Sequence, residues 1–168
     1  MSNLEGIYNR ILEALHDENE ERKKKLISIT NDIKMQQEIQ KYAVKQGDLS
    51  ENAEYKEATE ALQELSVTKA YVEECISIYD NFDGIKHVLA TGKGTHYIDL
   101  KSVVTVSRKD TGETASYMIV PAGISNIEIG AISERCPVGQ ELLGKVSGST
   151  IHINVKGKLL TYTVKEVY

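Results

Sequence analysis

The stretch YKEATEALQELSVTKAYVEECISIY, Tyr55 to Tyr79, decides the fold. Tyr55, Ala58, Leu62, Leu65, Lys69, Val72, Ile76 and Tyr79 recur at alternating steps of three and four, the spacing that lines side chains along one helical stripe. Such a stripe is a coiled-coil seam and needs a second helix to cover it. Upstream, Leu4, Ile7, Ile11 and Leu15, then Leu26, Ile29 and Ile33, then Ile39 and Ala43 continue a similar pattern. It falters in DENEERKKK, Asp17 to Lys25, which reads as a solvated face with Glu18, Glu20 and Glu21 close to Arg22, Lys24 and Lys25 at helical spacing. Between Ile7 and Asp83 the only glycine is Gly47 and there is no proline. Two long helices folded back on each other, with the reversal near Gly47, follow from that punctuation. About 40 residues at ~1.5 Å per residue make a rod roughly 60 Å long, far longer than a small core requires.

The punctuation changes at Gly84. Pro121, Pro137 and ten of the twelve glycines lie from that point on, the density of a domain with many turns. A boundary between Asn81 and Lys86 divides the chain into a helical domain, 1–80, with net charge −7, and a second domain, 81–168, with net charge +2. In the second, Val104 and Val106 alternate with Val103 and Thr105, and Tyr117 and Ile119 with Met118 and Val120, on either side of a turn at Asp110-Thr111-Gly112. Ile151, Ile153 and Val155 share one strand face, and a turn at Lys156-Gly157-Lys158 leads into Leu160, Tyr162 and Val164 as a closing hairpin. PVGQELLGK reads as a short helix that Gly144 stops. The fold class is α+β: a long antiparallel coiled-coil hairpin followed by an antiparallel β domain with one short helix.

Composition excludes several functions. The 168 residues are 40% hydrophobic and 27% charged, with no Trp, the balance of a globular chain with an aliphatic core. A net charge of −5 does not suit a protein whose main task is coating nucleic acid. No apolar run nears the ~18 residues that cross a bilayer, and MSNLEGIYNR lacks the features of a secretory signal, so no membrane partner and a cytoplasmic address are expected. Cys75 and Cys136 form no C-x-x-C pair, and His16, His87, His96 and His152 are scattered, which leaves no recognisable zinc spacing. Gly92-Lys93-Gly94 lacks the later glycine of a nucleotide-binding loop. No local arrangement marks a nucleophilic triad.

The segment GDLSENAEYKEATEALQE, from Gly47, sets six acidic residues against the single base Lys56. Asp48 followed three residues later by Glu51 has the form of a capping box, and acidic residues in a first turn favour the positive end of a helix dipole. A cap needs no ~60 Å arm to carry it. Carboxylates at the end of a projecting hairpin can instead be delivered into a cavity. Their oxygens suit Mg²⁺, which takes about six ligands in near-octahedral geometry. Two side chains supply too few, so a metal site here is one assembled with water, substrate phosphates or another protein.

The run GDLSENAEY, Gly47 to Tyr55, resembles the tip signature of the bacterial Gre transcript cleavage factors. VTVSRKDTGETASYMIV resembles that family's first strand pair, and AISERCPVGQELLGKVSG followed by IHINVKGKLLTYTVKEV resembles its Ser-Pro turn, Leu-Leu-Gly-Lys segment and closing hairpin. Together the likeness covers about 125 residues, from Lys41 to the end. It implies an N-terminal antiparallel coiled coil and a C-terminal domain of FKBP-like fold that docks on RNA polymerase, with Cys136 and Pro137 at the docking turn. It further implies that the coiled coil enters the polymerase's secondary channel, where Asp48 and Glu51 help hold a Mg²⁺ ion shared with the polymerase, and the polymerase cleaves backtracked RNA. The factor has no catalytic site of its own and binds no cofactor stably alone. Gly47, Ser50, Asn52 and Tyr55 match the signature as residues that shape the tip, with Tyr55 packing on the seam. Lys34, Lys41 and Lys45 stand in for the family's basic residues that attract the RNA 3′ segment, or are ordinary solvated lysines. Two departures stand out: residues 1–40 lack the family's first-helix pattern, and Cys136 stands where a Ser is usual.

Three other readings remain open at this level. A related channel-entering regulator would inhibit or modulate the polymerase without inducing cleavage. A prolyl isomerase would need a pocket of aromatics, whereas the second half has no Trp and its single Phe, Phe82, stands at the boundary; shared fold is weak evidence for shared activity. A coiled-coil adaptor would use the acidic residues for solubility alone. A helical hairpin satisfies its own seam, so a monomer is expected.

Overall fold

The computed structural model describes residues 3–45, 53–84, 97–155 and 157–168. Helix α1 spans Asn3–Lys45 and helix α2 spans Ala53–Asp83. Strands β1 (Val103–Arg108), β2 (Thr114–Val120), β3 (Ala131–Ser133), β4 (Thr150–Val155) and β5 (Lys158–Val167) follow, with a short helix α3 (Pro137–Leu142) between β3 and β4. The α+β plan, a long helical hairpin followed by a β domain with one short helix, is the one the sequence predicts. The sheet order is β3-β2-β1-β5-β4. All its pairs are antiparallel except β2 and β3, which run parallel from Met118↔Ala131 to Val120↔Ser133. The wholly antiparallel sheet expected from the sequence is corrected there: two single-turn 3-10 helices, Ala122–Ile124 and Ile127–Ile129, carry the chain round before β3, so β3 lies alongside β2 in the same direction.

The chain forms two compact units, one made of Met1–Asp17 with Ile78–Tyr168 and the other of Glu18–Ser77. In the first, alternation along the strands gives the sheet two apolar faces. Val103, Met118 and Val120 point to one face and pack with Leu4, Ile11 and Leu15 of α1 and Tyr79 and Phe82 of α2. Val104, Val106 and Ile119 point to the other, with Ile132, Leu142, Ile151, Ile153 and Val164. Phe82 is therefore a core residue of the last turn of α2 and not a residue of a connecting segment. Both expected hairpins are present: Val103↔Met118 with Gly112 at φ 73°, and Ile151↔Tyr162 with Gly157 at φ 82°. These left-handed values favour glycine.

In the second unit, Gln40 bonds Thr59 and the charge of Arg22 is felt at Tyr71, so the two helices run antiparallel. Ile29 and Ala43 of α1 and Ala58, Val72 and Cys75 of α2 are buried. Two expectations are corrected. Ile39 is 39% exposed, because Gln36 and Gln40, both half-buried, hold the inward-facing steps on either side of it. The Asp17–Lys25 stretch is not solvated throughout: Glu18, Glu20 and Glu21 pair with Arg22, Lys23 and Lys24, but Asn19 is 0% exposed and carries the inward stripe through the charged run.

Candidate functional site

The hairpin's far end is framed by the last turn of α1, at Lys45, and the first turn of α2, at Ala53. Gly47, Asp48, Ser50, Glu51 and Asn52 lie outside the described residues, as does Gly92-Lys93-Gly94. Ala43 and Ala58, both buried, are small enough to let two backbones approach closely. Gln40 Nε2 donates to Thr59 Oγ1 at 3.0 Å, and Thr59 Oγ1 in turn donates to the carbonyl of Tyr55 at 2.7 Å. This relay ties one helix to the first turn of the other, seven residues beyond Asp48 at Tyr55, whose own side chain is half-buried.

Of the three lysines, Lys34 and Lys45 are exposed, with Lys45 in the last turn of α1, where a cation favours the negative end of the helix dipole. Lys41 is exposed too but pairs with Glu38, Nζ to Oε1, at 2.6 Å. That hydrogen bond, with the charges of Lys41 and Lys45, holds the Glu38 carboxyl below its ordinary range.

Cys136 and Pro137 belong to the other unit, at the start of α3. Pro137 is exposed at the first helical turn, where its missing N–H costs nothing. Cys136 is the N-cap: its Sγ accepts the N–H of Gly139 at 3.2 Å. The thiol thus does the work a serine hydroxyl would do, as a weaker acceptor. A Cβ on Gly139 would overlap the carbonyl of Ser133, so glycine is what lets α3 sit against the end of β3.

Sequence reasoning missed Lys101. It is 3% exposed, its backbone has φ 67°, and its Nζ donates to the carbonyl of Asp83 at 2.7 Å while lying 5.0 Å from the Phe82 ring centroid. The ammonium closes the C-terminal end of α2, where carbonyls lack helical partners. Burial pushes its pKa down, against the Coulombic pull of Asp83. No local signal marks this lysine, since its partner is 18 residues away in the chain.

Among the described residues no group of three or more His, Cys, Asp or Glu is placed to hold a metal ion, and no helix is long and apolar enough to cross a membrane. The tip carboxylates, by their chemistry, fit a hard cation only as part of a larger ligand set.

Residues 93–168 match the family described as transcription elongation factor, GreA/GreB, C-term. The transcription elongation factor GreA of Chlorobium phaeovibrioides is 32% identical over 161 residues, spanning 96% of this chain and 92% of its own. That of Maridesulfovibrio salexigens is 34% identical over 118 residues, 70% of each chain. A crystal structure of a GreA factor homolog from Thermus thermophilus covers 89% of this chain and 94% of its own at 20% identity, with a TM-score of 0.40. With a relative this similar along nearly its whole length, the chain belongs to the GreA/GreB family of transcription elongation factors.

Proposed function

We propose that this chain enters the secondary channel of RNA polymerase hairpin first and stimulates the polymerase's own cleavage of backtracked RNA. One observation carries the reading: the run GDLSENAEY begins in the interval between two long helices, α1 ending at Lys45 and α2 beginning at Ala53, and its last three residues open α2, in a chain of elongation-factor ancestry. Asp48 and Glu51 supply hard carboxylate oxygens to the polymerase's active centre, in the cytoplasm and from a monomer. Together with water, RNA phosphate and polymerase ligands they would hold the second of two Mg²⁺ ions, which would supply the activated water while the other ion would stabilise the leaving oxygen. The chain's own part is placement: Gly47, Ser50 and Asn52 shape the turn, Tyr55 anchors it to the seam, and Lys34, Lys41 and Lys45 draw in the RNA 3′ segment. Cys136 and Pro137 mark the docking turn of the β domain. No group of the chain forms or breaks a bond to RNA, so it acts as a cofactor protein and not as an enzyme.

The test mixes the protein with a stalled polymerase complex carrying 3′-labelled RNA and Mg²⁺, beside Asp48→Asn/Glu51→Gln. Release of short labelled fragments by the wild type, with a loss of two or more orders of magnitude in the variant, is the expected result. Tight binding to polymerase with no fragments from either protein would replace this reading with that of a non-cleaving channel regulator.

A further inference from the structure

Near its far end, the hairpin unit carries a groove of about 690 Å³ between the helices. Ile39 and Tyr42 of α1 form one wall, and Ala58 and Ala61 of α2 form the other. The groove exists because two steps of the packing fail to close. Ile39 is turned outward by the half-buried glutamines beside it, and Ala58 and Ala61 present only methyl groups opposite. Tyr42 lines the groove and is left 60% exposed. The rim is acidic, formed by Glu38, Glu54 and Glu57. Lys41 engages Glu38, whereas Glu54 and Glu57 have no cationic partner among the described residues.

An aromatic face beside uncompensated carboxylates has a definite complement. A guanidinium is planar, stacks on an aromatic ring and donates in a fork to carboxylates. The same rim repels a phosphate backbone, which weighs against a nucleic-acid occupant. We propose that this groove receives an arginine-bearing protein segment of RNA polymerase, its guanidinium stacked on Tyr42 and paired with Glu54 and Glu57, its aliphatic stem lying on Ile39, Ala58 and Ala61. This rests on polymerase being the partner, and it deepens that reading: the hairpin is gripped along its side as well as used at its tip.

The test measures binding of the fluorescently labelled protein to core RNA polymerase without RNA, for the wild type, Tyr42→Ala, Tyr42→Phe, Glu54→Gln/Glu57→Gln and Glu57→Lys. All three positions, Tyr42, Glu54 and Glu57, are exposed, and helicity measured by circular dichroism controls for folding. Tyr42→Ala is expected to weaken binding roughly five- to tenfold and Tyr42→Phe less than about twofold. The double Gln variant is expected to weaken it about fivefold, with a smaller loss at high salt, and Glu57→Lys to weaken it further. Wild-type binding that Tyr42→Ala and Glu57→Lys leave within twofold overturns the groove and spares the partner, whereas a wild type that does not bind core polymerase overturns both. A Tyr42→Ala defect that appears only when RNA is present assigns the groove to nucleic acid, and a wild-type dimer that Tyr42→Ala dissociates assigns it to a second copy; either result overturns the proposal.

Discussion

The sheet unit and the hairpin unit are held together differently. In the first, Val103, Val104, Met118, Ile119, Val120, Ile124, Ala131 and Leu142 are all fully buried, and the sheet is covered on both faces. In the second, the buried apolar side chains are Ile29, Ala43, Ala58, Val72 and Cys75, interleaved with Asn19, Gln36, Gln40 and Lys69 at inward or half-buried steps. Two helices can cover only one stripe of each other, whereas a sheet buries both faces. The contrast therefore follows from geometry before composition enters. Its consequence is a gradient of stability: apolar burial contributes about 25 cal/mol per Å², so the hairpin opens at lower cost than the sheet.

The largest test of the contrast is a pair of truncations. Ile119→Ala removes a fully buried side chain from the middle of the sheet and should cost about 3 kcal/mol or more in urea unfolding. Leu62→Ala, at a half-buried seam step, should cost about 1 kcal/mol, because part of its surface is already wet. Equal losses at the two positions would mean that the units unfold as one and that the gradient does not exist.

Much of this arrangement was legible in the sequence, for identifiable reasons. The stripe from Ala58 to Tyr79, the hairpins at Gly112 and Gly157, and the stop at Gly144 all rest on local spacing, which a single chain displays. What escaped depends on partners far away in the sequence. Val120 and Ser133 pair in parallel across two short 3-10 turns, and Lys101 reaches back to Asp83. Phe82 at the end of α2 looked like a boundary residue because the sheet that buries it is formed by residues distant in sequence. The charged run Asp17–Lys25 hid Asn19, since a polar residue at an inward step breaks the apolar period that periodicity reads. The run from Gly47 to Tyr55 was read by a different route, through the resemblance of nine contiguous residues, and its first six lie outside the described residues; the groove lined by Ile39, Tyr42 and Ala61 was invisible, since no motif encodes a gap.

Asn19 sharpens the contrast in the opposite direction. Its amide nitrogen and oxygen are buried without a hydrogen-bond partner, as is one guanidinium nitrogen of the neighbouring Arg22. An unsatisfied buried polar group costs about 1–3 kcal/mol, so Asn19→Leu should stabilise the hairpin by about 1 kcal/mol and slow amide exchange around residues 19 and 72. Such residues are kept in coiled coils where they fix register, and the same variant should then show heterogeneous helix pairing. Destabilisation by Asn19→Leu would show instead that the amide is bridged by ordered water and contributes to the seam.

The smallest effect belongs to the sheet unit. Cys136 caps α3 with sulfur, a larger and weaker acceptor than a hydroxyl, at 3.2 Å from the Gly139 N–H. Serine at an N-cap is worth up to about 1 kcal/mol over a poor cap, so Cys136→Ser should raise the unfolding midpoint slightly, while Cys136→Ala should lower it by a comparable amount. The order Ser, Cys, Ala follows from acceptor strength alone. If alanine matched cysteine, the thiol would be filling space and not capping the helix, and α3 would owe its position to Leu142 and to the close approach of Gly139 to β3. The effect should also stay local: α3 packs on β3 and β4, so changes in amide exchange that reached the hairpin around Val72 would show that the two units share their stability after all.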